Sequence, residues 1–145
     1  MTSIDNPEEL TGGEREKLLH AASEIAGKAY APYSNFRVGT AVLGEKATYT
    51  GVNVENASYG LAICAERAAL AAAIAAGEKK IRGIAIACID ASADSAAGLP
   101  CGACRQWILE LAPHAEILIL GKNRSFRIEE LLPQPFQSHA SHIPK

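Results

Sequence analysis

Leu18, Ala22, Ile25 and Ala29 stand four, three and four residues apart and make one apolar stripe at helical spacing. Thr11 and Glu14 in front of the stripe form a Thr-x-x-Glu capping box, which predicts that a helix opens there. Pro32 is expected to close it, because the residue before a proline is pushed out of helical geometry. The charged run Glu14-Arg15-Glu16-Lys17 reads as the solvated face of that helix. The pattern then changes. Residues 37–43 and 47–54 are rich in Val, Thr and Tyr around Gly44-Glu45-Lys46, which predicts an antiparallel hairpin. Residues 65–76 are mostly alanine with Leu70 and Ile74, a strong helix former whose small side chains allow close packing on a sheet. Gly77 supplies its stop.

Residues 83–89 are apolar at both alternating positions, as in a central strand covered on both faces. The small polar residues 91–99 predict a loop. Residues 101–111 read as a helix ended by Pro113, 116–120 as a second buried strand, 125–128 as an edge strand, and 129–132 as a helical turn. Helix, strand, strand, helix, strand, helix, strand implies the α/β class: a three-layer α/β/α sandwich with a mixed, roughly five-stranded sheet. One domain over residues 1–145 is expected, with a loose leader at 1–10 and a Pro-containing tail at 133–145.

Composition narrows the function. A net charge of -2 offers no basis for gripping phosphate backbones, so no nucleic-acid partner is expected. The first ten residues lack the apolar run of a signal peptide, and no stretch of about 20 apolar residues could span a bilayer. A cytoplasmic protein with no membrane partner is expected. In that reducing setting four cysteines are better read as metal ligands, catalytic thiols or core residues than as disulfides.

Three of those cysteines make a constellation. Thirty-six residues lie between Cys64, which opens Cys64-Ala65-Glu66-Arg67, and Cys101, and two lie between Cys101 and Cys104. A lone Cys-x-x-Cys would be a weak signal, also met in redox pairs; a third cysteine with a glutamate two residues on points instead to zinc. Positions i and i+2 of a regular helix point about 200 degrees apart, so Cys64 and Glu66 address one point only if Cys64 sits at the helix start. Cys101 and Cys104 share a face of the first turn of theirs. Three thiolates and a divalent ion sum to -1, and two helix N-termini at roughly +0.5 each offset that charge. Arg67 and Arg105, beside the ligands, are candidates to donate hydrogen bonds to the sulfurs, the alternative being surface ion pairs. A structural zinc would want a fourth ligand, and Cys88, in an apolar strand, reads as a core residue. His20, His114, His139 and His142 lack ligand spacing. Three ligands leave a position for water, with Glu66 to move its proton.

Ala31-Pro32-Tyr33-Ser34-Asn35-Phe36-Arg37-Val38-Gly39, Gly51-Val52-Asn53-Val54-Glu55-Asn56-Ala57, Cys64-Ala65-Glu66-Arg67, Pro100-Cys101-Gly102-Ala103-Cys104-Arg105-Gln106 and Glu130-Leu131-Leu132-Pro133 with Phe136 closely resemble the small homotetrameric cytidine deaminases. The resemblance implies one zinc ion per subunit on Cys64, Cys101 and Cys104, attack of activated water on C4 of cytosine, and Glu66 protonating N3 and then the leaving ammonia. This agrees with zinc base deaminases as a class. It further implies that the Ala65 amide holds the ring carbonyl, that Asn53 and Glu55 bind the ribose hydroxyls, and that Phe36 packs on the base. Tyr33, Ala57, Tyr59 and Phe136 would reach pockets of neighbouring subunits in a homotetramer with shared active sites, Phe126 being the other aromatic near the C-terminus. Gly60, Ala62 and Trp107 depart from some members. Cytidine and 2'-deoxycytidine are the substrates implied, in pyrimidine salvage. The related blasticidin S deaminases lack the Asn-Val-Glu-Asn stretch; an antibiotic or modified-cytidine deaminase and a non-catalytic zinc-stabilised binding protein are the other readings.

Overall fold

A computed structural model describes residues 9–138. Most of the expected leader and the end of the tail, with His139 and His142, lie outside the described residues. Helix α1 spans Gly12–Ala26 and opens on the predicted capping box: Thr11 Oγ1 accepts the Glu14 N–H at 3.1 Å, and the Glu14 carboxylate accepts the Thr11 N–H at 2.9 Å. It ends earlier than Pro32 implied. Gly27 is its last cap, and the following residues leave the helix so that the Tyr30 N–H reaches the Asn53 carbonyl at 3.0 Å. Ala29 therefore lies beyond the helix that its spacing seemed to extend. Leu10, assigned by sequence to the loose leader, is buried with Leu18 and Ala22, its N–H held by Glu116.

Strands β1 (Val38–Gly44) and β2 (Thr48–Val52) form the predicted antiparallel hairpin. Helix α2 (Ala65–Ala75), strand β3 (Ile81–Cys88), helix α3 (Gly102–Leu111), strand β4 (Glu116–Ile119) and the short helix α4 (Ile128–Leu131) follow. The sheet order is β2-β1-β3-β4, with β3 antiparallel to β1 and parallel to β4. The sheet has four strands among the described residues, not five. Phe126 exchanges both backbone hydrogen bonds with Ile117, but that single bridge is all that forms of the expected edge strand before the chain enters α4.

Alternation along the strands separates two cores. Val42, Ile84, Ile86, Ile117 and Ile119 face Leu70 of α2, Ile108 of α3 and Ile128 of α4, while Ala41, Ala85, Ala87 and Leu118 face Leu18 and Ala22 of α1. The three-layer sandwich follows, large residues meeting three helices on one face and small ones admitting one helix on the other. Among the described residues no helix is long and apolar enough to cross a membrane.

The exit from α2 is built as the sequence implied: Gly77, at φ 87°, gives its N–H to the Ile74 carbonyl, and the Glu78 N–H reaches Ala73. Glu78 itself is buried, and its carboxylate collects the N–H groups of Glu45, Lys46 and Ala47 at 2.8–3.1 Å and the Tyr49 hydroxyl at 3.0 Å.

Gly51 sets the height of α2 above the sheet. A Cβ there would stand 2.4 Å from the Ala69 nitrogen and 2.8 Å from the Ala65 carbonyl oxygen, both backbone atoms. Gly51→Ala is therefore expected to lower stability by about 1–3 kcal/mol, the usual cost of overpacking, measured by urea unfolding. Because the displaced turn begins at Ala65, turnover should fall as well.

Candidate active site

Two helix starts meet at the opening of the α2-facing side of the sheet. Cys64 is the N-cap of α2, with extended dihedrals of φ -78° and ψ 153°, and Cys101 is the N-cap of α3, at φ -68° and ψ 170°. The non-helical backbone at residue 64 is what lets Cys64 and Glu66 share one point, as the spacing argument required. Cys104, in the first turn of α3, is fully buried. The Sγ atoms of Cys64 and Cys101 lie 3.8 Å apart and those of Cys101 and Cys104 3.6 Å apart, and all three fall within 4.8 Å of one another.

Those separations decide what the sulfurs are for. A disulfide needs about 2.05 Å between sulfurs, so none of the three is paired. Four-coordinate zinc with Zn–S bonds of about 2.3 Å places its sulfurs about 3.8 Å apart, and the triangle fits. The donor set suits zinc as well: three soft thiolates with helix N-termini beneath two of them. Arg67 donates from Nη2 to Cys64 Sγ at 3.4 Å. Its Nε is buried without a hydrogen-bond partner among the described residues. Hydrogen bonding from Cys104 and then from Arg67 brings the Cys64 thiol down to about 5, while the Cys104 thiol, giving its proton to Cys64, is pushed up.

Arg105 makes different contacts from those its position suggested. Its Nε donates to the Pro100 carbonyl at 2.7 Å and its Nη1 to the Leu131 carbonyl at 2.6 Å, so it ties the start of α3 to the end of α4. Glu66 is buried, 5% exposed, beside the sulfurs. Burial raises its carboxyl above the ordinary range, with its own backbone N–H pulling the other way and the Cys64 charge adding to the rise. A carboxyl raised in this way is suited to taking up a proton and handing it on.

A cleft of about 620 Å³ runs from this point outward and brings Cys64, Ala65, Glu66, Arg67 and Cys101 together with Phe36, Asn53, Glu55 and Tyr59. Asn53 and Glu55 follow β2 and flank Val54, which bridges to Tyr30 and Ile63. The Asn53 amide is engaged at both ends, Nδ2 donating to the Phe36 carbonyl and Oδ1 accepting from the Val38 N–H, each at 2.8 Å. Glu55 Oε1 accepts the Tyr33 and Ser34 N–H groups at 3.0 and 3.1 Å. Tyr59, 82% exposed, lines this chain's own cleft. Tyr33, Ala57 and Phe136 are exposed and do not line it. Phe136 stands beside a different cavity with Gln106 and Leu109, whereas Phe126 packs against the core under the Arg124 guanidinium, 3.9 Å from the ring centre.

Cys88 was read from sequence as a core residue. The structure leaves it half-buried in the cleft wall, its Sγ donating to the Ala97 carbonyl at 3.7 Å. Burial, then the Glu66 charge, pushes its thiol up to about 11. It stands outside the sulfur triangle. The parity of Ile84 and Ile86, which face α2, extends to residue 88 and is the signal that could have placed it there. Ser34 also lines the cleft, and nothing in its residue type announced it. His20, exposed on α1, pairs with Glu24 at 3.3 Å, and His114 is exposed after α3.

Comparison with known proteins adds to this geometry. Residues 13–123 match the family described as cytidine and deoxycytidylate deaminase zinc-binding region. A cytidine deaminase of Halalkalibacterium halodurans is 40% identical over 129 residues, 85% of this chain and 94% of the relative. The crystal structure of a cytidine deaminase from Burkholderia pseudomallei superposes with a TM-score of 0.75 at 41% identity, covering 88% of this chain and all of the other. One from Mycobacterium tuberculosis gives 0.72 at 35%, covering 85% and 97%. With the sulfur triangle, the mixed sheet and these relatives in agreement, the chain belongs to the zinc-binding cytidine and deoxycytidylate deaminase family.

Proposed function

We propose that this protein deaminates cytidine and 2'-deoxycytidine hydrolytically to the corresponding uridines, releasing ammonia, as a step of pyrimidine salvage. The observation that carries the reading is the three-sulfur triangle opening into the cleft beside a buried, proton-competent Glu66. Zinc held by Cys64, Cys101 and Cys104 supplies Lewis-acid activation of water near neutral pH.

The chain's own residues do the rest. Glu66 takes a proton from the water, passes it to N3 of the cytosine ring, and delivers a proton to the departing amino group. Water adds first, forming the C4–O bond; Glu66 then carries the proton of the new C4 hydroxyl to the amino group, and the C4–N bond breaks as the C4 carbonyl forms, so one water is consumed for each ammonia released. The Ala65 N–H, one of the free donors of the first turn of α2, faces the ring carbonyl. Phe36 packs on the base. Asn53 and Glu55 meet the ribose with the acceptor and donor capacity that their contacts to residues 33–38 leave unused.

Four copies with shared active sites belong to the same proposal. Tyr33, Tyr59, Leu61 and Phe136 are large apolar groups left exposed around the cleft and tail, as aromatic interface anchors are. With Phe126 committed to its own core, Phe136 is the aromatic free to reach a neighbour. Unpaired thiols suit a reducing cytoplasm.

Zinc-loaded protein mixed with cytidine should show the fall in near-ultraviolet absorbance that accompanies loss of the amino group, with ammonia appearing in equal amount. Constant absorbance across a panel of cytidine, 2'-deoxycytidine and base-modified cytidines would overturn the reading.

A further inference from the structure

Residues 32–37 have no regular secondary structure, yet every backbone N–H from Tyr33 to Arg37 is tied down. Asn35, in the left-handed region at φ 55°, gives its N–H to the Ala31 carbonyl at 2.9 Å. The far end is fixed by Asp90, which accepts the Arg37 N–H at 2.9 Å and its guanidinium at 3.0 and 2.8 Å. Between these anchors the loop is held from residues 53 and 55: Asn53 by the Phe36 carbonyl and Val38 N–H, Glu55 by the Tyr33 and Ser34 N–H groups.

The Ser34 hydroxyl stands at the junction. It accepts the Phe36 N–H at 3.0 Å, and a hydroxyl that accepts still has its own proton to give. The Glu55 carboxylate lies alongside, its Oε1 sitting on the Ser34 backbone N–H at 3.1 Å. The Glu55 carboxyl lies below its ordinary value: the Ser34 hydroxyl lowers it most, burial opposes, and the Ser34 and Tyr33 N–H groups lower it further. Ser34 thus touches both partners, its hydroxyl accepting from the Phe36 N–H and its own N–H donating to Glu55. Ser34 itself is exposed on the cleft wall and packs into neither core.

We propose that Ser34 is a positioning residue, coupling the carboxylate that meets the sugar to the backbone that carries the ring meeting the base, and thereby setting affinity for the whole nucleoside. The proposal rests on the roles given above to Phe36 and Glu55. Without the hydroxyl, the Phe36 N–H loses its acceptor and the Glu55 carboxyl loses the neighbour that does most to hold it down. Neither loss touches the sulfurs or Glu66.

The test is steady-state kinetics on zinc-loaded Ser34→Ala, Ser34→Thr, Glu55→Gln and the Ser34→Ala/Glu55→Gln double variant, with the Glu55 carboxyl followed by NMR titration. Ser34→Ala should raise the KM for cytidine about tenfold while kcat stays within about twofold, the pattern of lost binding rather than lost chemistry. Ser34→Thr, which keeps the hydroxyl, should restore KM. The double variant should raise KM by less than the product of the two single effects, since part of what the hydroxyl does passes through Glu55. In Ser34→Ala the Glu55 midpoint should move up toward the ordinary carboxylate range. An unmoved KM, threonine behaving as alanine, or additive effects in the double variant would each overturn the proposal. If the parent protein leaves cytidine unchanged, the functional reading fails by itself; the Glu55 titration still decides the coupling, and a midpoint indifferent to Ser34→Ala refutes it.

Discussion

Glu66→Gln is expected to keep one zinc per chain and to lose about 10²–10⁴-fold in cytidine turnover, the range for removing a positioned general acid–base. The loss should lie at the upper end, because in the proposed mechanism the same carboxyl moves a proton to N3 and another to the leaving nitrogen. Glutamine keeps the shape of the side chain but has no proton to shuttle. The three sulfurs already complete the triangle without Glu66, so metal content should not change. Zinc analysis beside the absorbance assay separates the outcomes. Normal turnover would remove Glu66 from the chemistry, and loss of zinc would make it part of the metal's support instead.

Cys101→Ala should empty the site. Cys101 is the corner of the triangle that stands 3.8 Å from the Cys64 sulfur and 3.6 Å from that of Cys104, and its backbone caps α3. Its removal takes away a ligand itself, so affinity should fall by more than the about 10–100-fold typical of losing a group behind a ligand. Zinc after dialysis should be far below one per chain, with turnover lost in proportion and not regained in excess thiol. Cys88→Ser is the control. A half-buried thiol outside the triangle should leave zinc unchanged; zinc lost on Cys88→Ser would mean a closed four-sulfur site, which is structural chemistry.

How much of this could be read from the residues depended on whether the cause was local. The capping box at Thr11, the stop at Gly77 and the burial of β3 are set by neighbours in sequence, and all three formed as read. The metal site was legible for a related reason: the i, i+2 geometry of Cys64 and Glu66 forbids a regular helix at Cys64, and the fold obeys. The misreadings came from partners far along the chain. Pro32 is a sound local stop, yet α1 ends at Ala26 because Tyr30 is drawn to Asn53. A fifth strand was reasonable for residues 125–128, but the start of α4 takes over after one bridge to Ile117. Arg105 sits next to a ligand in sequence, while the carbonyl that claims its Nη1 belongs to Leu131, 26 residues away. The resemblance pointed to Asn53 and Glu55, and both line the cleft. That both are already bonded to residues 33–38 depends on how the loop crosses the strand end, which no spacing encodes.

The Glu78 carboxylate has a bearing on where the instructions for the hairpin are stored. A tight connection between two strands usually writes its shape into its own glycine, asparagine or proline residues. Here the connection has one such residue, Gly44, where a Cβ would run into the Glu78 carboxylate, and the N–H groups of Glu45, Lys46 and Ala47 are gathered by that side chain more than 30 residues downstream. The turn is thus specified remotely. Residues 45–47 are free to drift so long as Gly44 stays bare and residue 78 keeps an acceptor, and an excised peptide of β1 and β2 would lack the group that closes it. Completion of the hairpin must wait for α2 to be made and left behind, a non-local event of the kind that slows folding.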